Sequence, residues 1–243
     1  MATGRLVGKS ALVTGASSGI GRAVALALAA EGADIIASGR GEDALRKLAE
    51  STSPGHGKIR GIAGDLRDAG FVRRLAEASA GVDILVSNAG VLTYAPVLEL
   101  TASECEDMFR VNVLAALELA QSIGAEMAKR KRGHIVVMTS LAAREVYPFG
   151  SVYCATKHAL TAIAQGLRLE LQSHGIKVTE VAPGMVDTNM RLGIKHPAVL
   201  AAVGKRPYKP LTAEEVAQSV LFALTAPPNC CPDLIELRPL GAA

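Results

Sequence analysis

Short apolar runs alternate with longer amphipathic stretches from one end of the chain to the other. The apolar runs are rich in Val, Ile, Leu and Ala, which is typical of strands buried on both faces of a sheet. The stretches between them repeat their apolar residues at helical spacing. This alternation of strand and helix predicts a mostly parallel sheet covered by helices on both faces.

The pattern places seven strands and six main helices along the chain. The strands are 11–13, 34–38, 59–63, 84–87, 134–139, 177–181 and 234–237, and the helices are 19–31, 42–50, 71–79, 102–130, 152–173 and 213–224. No linker rich in Pro, Gly or Ser divides them. We therefore predict a single α/β domain over residues 1–243, with a doubly wound, seven-stranded sheet.

One segment, at about 189–210, departs from the alternation. Its pattern is weaker, and it contains three prolines and several cations. A connection of this length is uncommon in a compact α/β fold, and long connections of this kind often act as lids. We therefore predict that residues 189–210 form a lid or substrate loop.

Composition narrows the class of protein. Hydrophobic residues make up 49% of the 243 residues, aromatic residues only 3%, and Trp is absent, so the core is built from aliphatic side chains. The net charge of +3 is too small to argue for nucleic acid or a membrane surface as a partner. The basic run at 129–132 suits a solvated helix C-terminus, although a nucleic-acid patch is the alternative.

The expected location is the cytoplasm. No long apolar run resembles a signal peptide or a membrane span. Four cysteines, Cys105, Cys154, Cys230 and Cys231, lack metal-ligand spacing, so we predict reduced thiols and no metal site.

A glycine-rich turn indicates a nucleotide site. Gly15, Gly19 and Gly21 follow a predicted strand and open a predicted helix. Glycines in this context allow a tight turn and close backbone approach, and the helix N-terminus presents free N–H groups to a pyrophosphate. The alternative is a tight turn that binds nothing.

The end of the second strand bears on the choice of cofactor. A carboxylate at this place would bond the ribose 2′-hydroxyl of NAD, but the strand ends Ser38-Gly39-Arg40. Arg40 is suited to a 2′-phosphate, and Ser17 and Ser38 add hydroxyl groups. We predict a preference for NADP(H), with NAD(H) possible if Arg40 is only a solvated residue.

A Tyr and a Lys four residues apart supply candidate chemistry. Tyr153 and Lys157 lie one turn apart on the same face of a predicted helix. A free Tyr has a pKa of about 10, and a nearby ammonium lowers it towards neutral operation. Ser140, at the end of a central strand, is placed to donate to an oxygen of the substrate. These residues suit hydride transfer between a nicotinamide and a carbonyl or alcohol.

These motifs stand in an order and spacing that resemble a known family. The matching segments are Thr14-Gly15-x-x-x-Gly19-x-Gly21, Asp65-Leu66, Asn88-Ala89-Gly90, Asn112, Ser140, Tyr153-x-x-x-Lys157 and Pro183-Gly184. The chain resembles the short-chain dehydrogenase/reductase family over nearly its whole length. The resemblance implies a Rossmann-like domain, with a dinucleotide-binding half at about 1–130 and a catalytic and substrate half at about 131–243. It also implies a homotetramer or homodimer with helices 102–130 and 152–173 at the interface.

The resemblance further implies roles for individual residues. The catalytic set is Asn112, Ser140, Tyr153 and Lys157, with Asn112 holding a kink in the long helix and a water near Lys157. The implied cofactor contacts are Gly15, Ser17, Ser18, Gly19, Ile20, Gly21, Arg40, Asp65, Leu66, Asn88, Ala89, Gly90, Tyr153, Lys157, Pro183, Gly184, Val186 and Thr188. Asp65 would bond the adenine edge, and Thr188 the nicotinamide carboxamide. Ser18 stands where many NADP-using members carry a cation, so the NADP(H) prediction depends on Arg40.

The predicted substrate pocket is mainly apolar. Its segments are 92–94, 142–149 and 185–208, which favour a small or medium carbonyl compound or secondary alcohol. Arg144 and Glu145 are candidates either for substrate contact or for a surface pair. The C-terminal segment 234–239 resembles the tails of family members that act on 3-hydroxy acids, serine-like substrates, or assorted aldehydes and ketones. The lid cations are candidates for contact with a substrate carboxylate, with a solvated role as the alternative, and they are Arg191, Lys195, Lys205, Arg206 and Lys209. The alternatives are an NAD(H)-dependent hydroxy-acid dehydrogenase, an epimerase or dehydratase, and a non-catalytic NADP(H)-sensing protein.

Overall fold

Seven strands pair side by side in the computed structural model, which describes residues 4–190, 194, 196–202 and 208–242. They are β1 Ser10–Thr14, β2 Asp34–Gly39, β3 Ile59–Ala63, β4 Ile84–Ser87, β5 Gly133–Met138, β6 Ile176–Pro183 and β7 Leu234–Leu237. Their order is β3-β2-β1-β4-β5-β6-β7, and every pair is parallel. The fold is a Rossmann-like α/β domain, and the predicted mostly parallel sheet is parallel throughout.

Helices cover both faces of this sheet. They are α1 Gly19–Ala30, α2 Glu42–Glu50, α3 Ala69–Ala78, α4 Ala102–Phe109, α5 Ala115–Arg130, α6 Ser151–Leu171, α7 Pro197–Ala202 and α8 Ala213–Leu224. In the described residues, no helix combines the length and the apolar character needed to span a bilayer.

Two aliphatic layers hold the helices to the sheet. Leu28 of α1 and Val220 of α8 pack on one face, and Leu119 of α5 and Leu160 of α6 pack on the other. Alternate residues of the central strands enter opposite layers, so apolar side chains are needed at every position. Each such fully buried side chain contributes about 1.5–3 kcal/mol to the hydrophobic stabilisation.

The long predicted helix at 102–130 is continuous but not uniform. α4 and α5 are joined by a π-helical turn over Arg110–Leu114, and Asn112 is buried within it. A π turn inserts an extra residue and turns the following side chains about the helix axis. The structure thus has a π turn at the place where the family resemblance implied a kink.

The predicted lid segment contains the short helix α7. Residues 191–193, 195 and 203–207 of this segment lie outside the described residues, and they include the predicted lid cations Arg191, Lys195, Lys205 and Arg206. The remaining predicted helices and strands are present, with ends that shift by about one or two residues.

The strand order determines where a ligand can enter. The chain runs outwards from β1 to β3 on one side, then returns to β4 and continues outwards on the other. The carboxyl ends of β1 and β4 therefore border a crevice where the winding reverses, which is the usual ligand position in open α/β sheets.

Candidate active site

A cavity of about 960 Å³ opens at the carboxyl edge of the sheet. Residues that follow β1, β2, β4, β5 and β6 line it. Every predicted catalytic or cofactor residue lines this cavity except Gly21 and Asn112. The structure thus brings together residues that are up to about 170 positions apart in the chain.

The glycine turn is shaped by backbone constraints. Gly15 and Gly19 have φ values of +69° and +53°, a region that L side chains rarely adopt. A Cβ on Gly21 would lie 2.4 Å from the Gly15 carbonyl oxygen and 2.6 Å from the Asn88 amide nitrogen. Gly21 therefore acts behind the turn, where it lets α1 pack closely on the strand end.

The turn is tied to the segment after β4. The Thr14 hydroxyl accepts hydrogen bonds from the backbone N–H groups of Asn88 and Ala89, both at 3.0 Å. The Asn88 side-chain amide donates to the Thr14 carbonyl at 2.9 Å. These bonds hold the two strand ends at a constant separation along the cavity floor.

Polar groups at the end of β2 face the same cavity. The Ser38 hydroxyl is buried and has no hydrogen-bond partner in the described part of the chain. Arg40 is exposed, lines the cavity, and forms no ion pair with a described residue. A buried hydroxyl and a nearby guanidinium without acceptors form a donor set suited to a phosphate.

Asp65 has more partners than the sequence suggested. Its carboxylate accepts hydrogen bonds from the Arg67 backbone N–H at 2.9 Å and from the Arg67 guanidinium at 2.6 Å. The side-chain hydrogen bond from Arg67 is the main reason that the pKa of Asp65 lies below its usual value. The acceptor positions that the resemblance assigned to an adenine edge are thus already used by Arg67.

The features at this end of the cavity fit a dinucleotide. The glycine turn leaves a cradle that a Cβ would fill, and the first N–H groups of α1 have no partner within the helix. Gly15, Ser17, Ser18, Gly19 and Ile20 line this cradle, and Ser38 and Arg40 lie beyond it.

The candidate catalytic residues meet at the other end. Tyr153 and Lys157 are buried on successive turns of α6, with the ammonium 5.8 Å from the centre of the phenol ring. Lys157 donates to the Met138 carbonyl at 3.0 Å, at the end of β5. The Ser140 hydroxyl donates to the Pro183 carbonyl at 3.2 Å, so the ends of β5 and β6 are joined beside the phenol.

Burial shifts the pKa values of Tyr153 and Lys157. Burial raises the pKa of Tyr153, the neighbouring Tyr94 adds to the rise, and Ser140 opposes it. Burial also lowers the pKa of Lys157 to about 8. Among the protein's own residues, burial thus has the largest influence on the pKa of Tyr153, and the lowering expected from Lys157 is not seen.

Asn112 supports the site without lining it. Its side-chain oxygen accepts from the Val91 N–H at 2.7 Å, and its amide donates to the Val91 carbonyl at 2.9 Å and to Thr156 at 3.1 Å. The π turn thus places the Asn112 side chain where it bonds both the segment after β4 and α6.

Aromatic residues are concentrated around the substrate end. All four tyrosines of the chain, Tyr94, Tyr147, Tyr153 and Tyr208, line the cavity. The phenol oxygens of Tyr94 and Tyr147 are 2.7 Å apart, and their rings are nearly perpendicular. Phe149 has a φ of +68°, an uncommon backbone conformation for a residue with a side chain. Apart from Tyr153, these aromatic residues lie in the segments 92–94, 142–149 and 185–208 that the sequence predicted for the substrate pocket, but the contact between Tyr94 and Tyr147 was not predicted.

Arg144 and Glu145 differ in their surroundings. Arg144 bonds Glu180, a buried carboxylate, at 2.8 Å, and also pairs with Glu236 of β7. Glu145 lines the cavity and pairs with Arg238 at 2.6 Å. Arg238 was not among the predicted site residues, because its position beside the cavity depends on how the C-terminal tail folds back.

The geometry can be compared with known proteins. A family model described as short chain dehydrogenase matches residues 9–197. An uncharacterised oxidoreductase of Staphylococcus aureus strain N315 is 34% identical over 239 residues, which cover 97% of this chain and 99% of that protein.

Two solved structures share the fold. One is a protein of Beutenbergia cavernae described as an NAD(P)-dependent gluconate 5-dehydrogenase with bound NADP, which has 31% identity, a TM-score of 0.84 and 95% coverage of each chain. The other is an alcohol dehydrogenase of Thermococcus sibiricus complexed with 5-hydroxy-NADP. It has 27% identity and a TM-score of 0.84, covering 97% of this chain and 98% of that chain.

Proposed function

The chain belongs to the short-chain dehydrogenase family and is an oxidoreductase, and we propose that it uses NADP(H) to interconvert a carbonyl compound and a secondary alcohol. The observation that carries the proposal is the position of Ser140, Tyr153 and Lys157 in the same cavity as the glycine turn. The mainly apolar and aromatic walls of the substrate end suit a small or medium substrate.

The cofactor is proposed to lie along the floor of the cavity. When bound, NADPH supplies the hydride for carbonyl reduction, and NADP+ accepts it in the reverse reaction. The glycine turn would hold the pyrophosphate, and Ser38 and Arg40 the 2′-phosphate. Asn88, Ala89 and Gly90 would support the adenosine side, with Leu66, Pro183, Gly184, Val186 and Thr188 as the remaining walls. Two neighbouring structures that hold NADP or an NADP analogue support this choice.

Tyr153 is the proposed general acid in reduction. Its phenol is protonated at neutral pH, and this is the form that delivers a proton to the oxygen of a reduced carbonyl. Ser140 would donate a second hydrogen bond to the same oxygen and so stabilise its developing negative charge.

Lys157 and Asn112 are proposed to support Tyr153. Lys157 uses one donor on Met138, and an ammonium has three, so two remain for polar groups in the cavity. Asn112 holds the segment after β4 against α6, which keeps the cavity wall in register with Tyr153.

A second candidate is a hydroxy-acid dehydrogenase using NAD(H) or NADP(H). The neighbouring structure described as a gluconate 5-dehydrogenase favours it, because gluconate is a hydroxy acid. The two candidates share the same chemistry. They differ in whether the substrate also bears a carboxylate at some distance from the reacting carbon.

The assembly is proposed to be a homotetramer or homodimer. Phe109, Leu114 and Leu169 are exposed apolar residues on the helices that the family resemblance placed at the interface. The proposed location remains the cytoplasm, in keeping with four free cysteines.

The decisive experiment is absorbance-monitored NADPH oxidation against ketones, aldehydes and 3-oxo acids, with NADP+ and alcohols in the reverse direction. Turnover supports the proposal, and the ranking of substrates separates the two candidates. Tight NADPH binding without turnover across the panel would contradict it and favour the cofactor-sensing alternative.

A further inference from the structure

One ion pair stands at the mouth of the cavity and has no part in the proposed chemistry. Among the described lining residues away from the adenosine end, only Lys157, Glu145 and Arg238 are charged. Lys157 is buried beside the phenol, which leaves the Glu145–Arg238 pair for the substrate side. The side chains of this pair are 53% and 41% exposed.

The pair is held in position by its neighbours in the chain. Arg144 bridges the loop after β5 to Glu180 on β6 and Glu236 on β7. Glu145 follows Arg144 directly, and Arg238 lies two residues beyond Glu236. The N–H of Gly184 donates to the Leu237 carbonyl at 2.7 Å, which ties the tail to the segment beside Ser140. The backbone on either side of the pair is therefore fixed at the cavity.

Arg238 keeps most of its hydrogen-bonding capacity. A guanidinium carries five N–H donors in a planar fork that matches a carboxylate. Within the described part of the chain, the contact between Nη2 and the Glu145 Oε1 is the only hydrogen bond of this guanidinium. An ion pair this exposed holds its partners weakly. The Arg238 guanidinium can therefore donate to a second carboxylate, or exchange Glu145 for it.

We propose that Arg238 binds a carboxylate group of the substrate, and that Glu145 is the counter-ion that this carboxylate replaces on the guanidinium. The preferred substrates are then oxo acids and the corresponding hydroxy acids, rather than neutral ketones. This inference rests on the proposed function, because it names the substrate class of the same site. Glu145 also competes for Arg238, so its charge opposes the binding of an acid.

Steady-state kinetics with three probes of similar shape tests the proposal. The probes are acetoacetate, its methyl ester and acetonyltrimethylammonium, which carry a negative, a neutral and a positive group. We expect Arg238→Met to raise KM for acetoacetate about 10- to 100-fold, since a charge-assisted bidentate contact is lost. The KM for the ester is expected to change by less than about threefold. Glu145→Gln is expected to leave the KM for acetoacetate equal or lower.

Two results would overturn the proposal. One is an equal rise in KM for acetoacetate and for its ester in Arg238→Met, which would indicate a structural role of Arg238. The other is a lower KM for acetonyltrimethylammonium in Arg238→Met together with a higher KM for it in Glu145→Gln. That result would make Glu145 a cation site. Arg168→Met is the matched control, because it removes the same charge from a guanidinium that faces Asp233 outside the cavity.

A binding measurement separates this inference from the proposed reaction. If the wild-type protein reduces none of the probes, the proposed function fails for this class of compound. Saturation-transfer NMR of 3-hydroxybutyrate and its methyl ester, with NADP+ present, then tests the carboxylate contact directly. A preference for the acid that disappears in Arg238→Met supports the contact, and equal binding of acid and ester contradicts it.

Discussion

The two ends of the cavity are built in different ways. The cradle at the nucleotide end comes from one run of consecutive residues, 14–21, and its shape depends on backbone conformation. The substrate end is assembled from side chains of separate segments. Tyr94, Tyr147 and Tyr208 come from three different loops, and Glu145 meets Arg238 across 93 positions.

This difference explains which amino-acid substitutions each end can tolerate. A turn that requires positive φ and close backbone approach accepts only glycine at particular positions, so its chemistry is readable from residue types. Side chains that meet across loops are exchangeable without change to the fold, so substrate choice can vary while the cofactor site is retained.

The largest effect is expected at the substrate end, for Tyr153→Phe. Loss of the proposed general acid should lower kcat about 10²- to 10⁴-fold, while the Kd for NADPH stays within about threefold of wild type. The measurements are initial rates and a fluorescence titration of NADPH. Tyr147→Phe is the control, because it removes a hydroxyl bonded to Tyr94 and should cost much less. Activity within tenfold of wild type in Tyr153→Phe would refute the assignment.

A second effect is expected at the nucleotide end, for Gly21→Ala. The added Cβ would overlap the Gly15 carbonyl, which is backbone and cannot move aside. We expect the Kd for NADPH to rise at least about tenfold and stability to fall by about 1–3 kcal/mol. Titration and urea unfolding measure the two quantities.

Gly166→Ala is the matched control for this change. Gly166 lies within α6 with no heavy atom within 4 Å of an added Cβ, so alanine should stabilise the helix by up to about 1 kcal/mol. Unchanged NADPH affinity in Gly21→Ala would show that the turn is less constrained than its geometry indicates.

A smaller, selective effect is expected for Arg40→Asp. The ratio of kcat/KM for NADPH to kcat/KM for NADH should fall about 10- to 100-fold, because a cation facing the 2′-phosphate becomes an anion. Arg60→Asp makes the same charge change on β3 at a residue that does not line the cavity. An unchanged ratio in Arg40→Asp would remove the basis for a preference for NADP(H).

The smallest effect is expected on the free energy of unfolding, for His134 at the opposite edge of the sheet. Because this residue lies away from both ends of the cavity, it provides a baseline for changes in stability. His134 is buried at the start of β5 beside Thr179, and burial lowers its pKa to about 4. Between about pH 6.5 and pH 4 the unfolded chain binds more protons than the folded chain, so stability falls as the pH falls.

We expect His134 to account for about 1–3 kcal/mol of this loss, measured as the difference in urea unfolding between pH 7 and pH 4.5. His134→Gln should reduce the difference, and His158→Gln, at an exposed position, should leave it unchanged. An identical pH dependence in His134→Gln and wild type would contradict the expectation.

Much of the fold was predictable from local patterns. Short apolar runs such as Ile84–Ser87, set between amphipathic helices, predict central strands of a parallel sheet, and all four residues of this run are buried. The π turn was foreseen as a kink only through the family resemblance, because nothing in residues 110–114 distinguishes it from ordinary helix. The upward effect of burial on the pKa of Tyr153 was not foreseen, because the spacing of Tyr and Lys reports proximity but not burial.

The sequence by itself determined the strand and helix order, the glycine turn and the identity of the residues that meet at the strand ends. It did so because periodicity, turn chemistry and backbone conformation are local properties that residue types encode. Only the tertiary structure decided the use of Asp65 by Arg67, the contact between Tyr94 and Tyr147, and the pairing of Glu145 with Arg238. Those contacts join segments far apart in the chain, and their geometry depends on how helices and tail pack on the sheet.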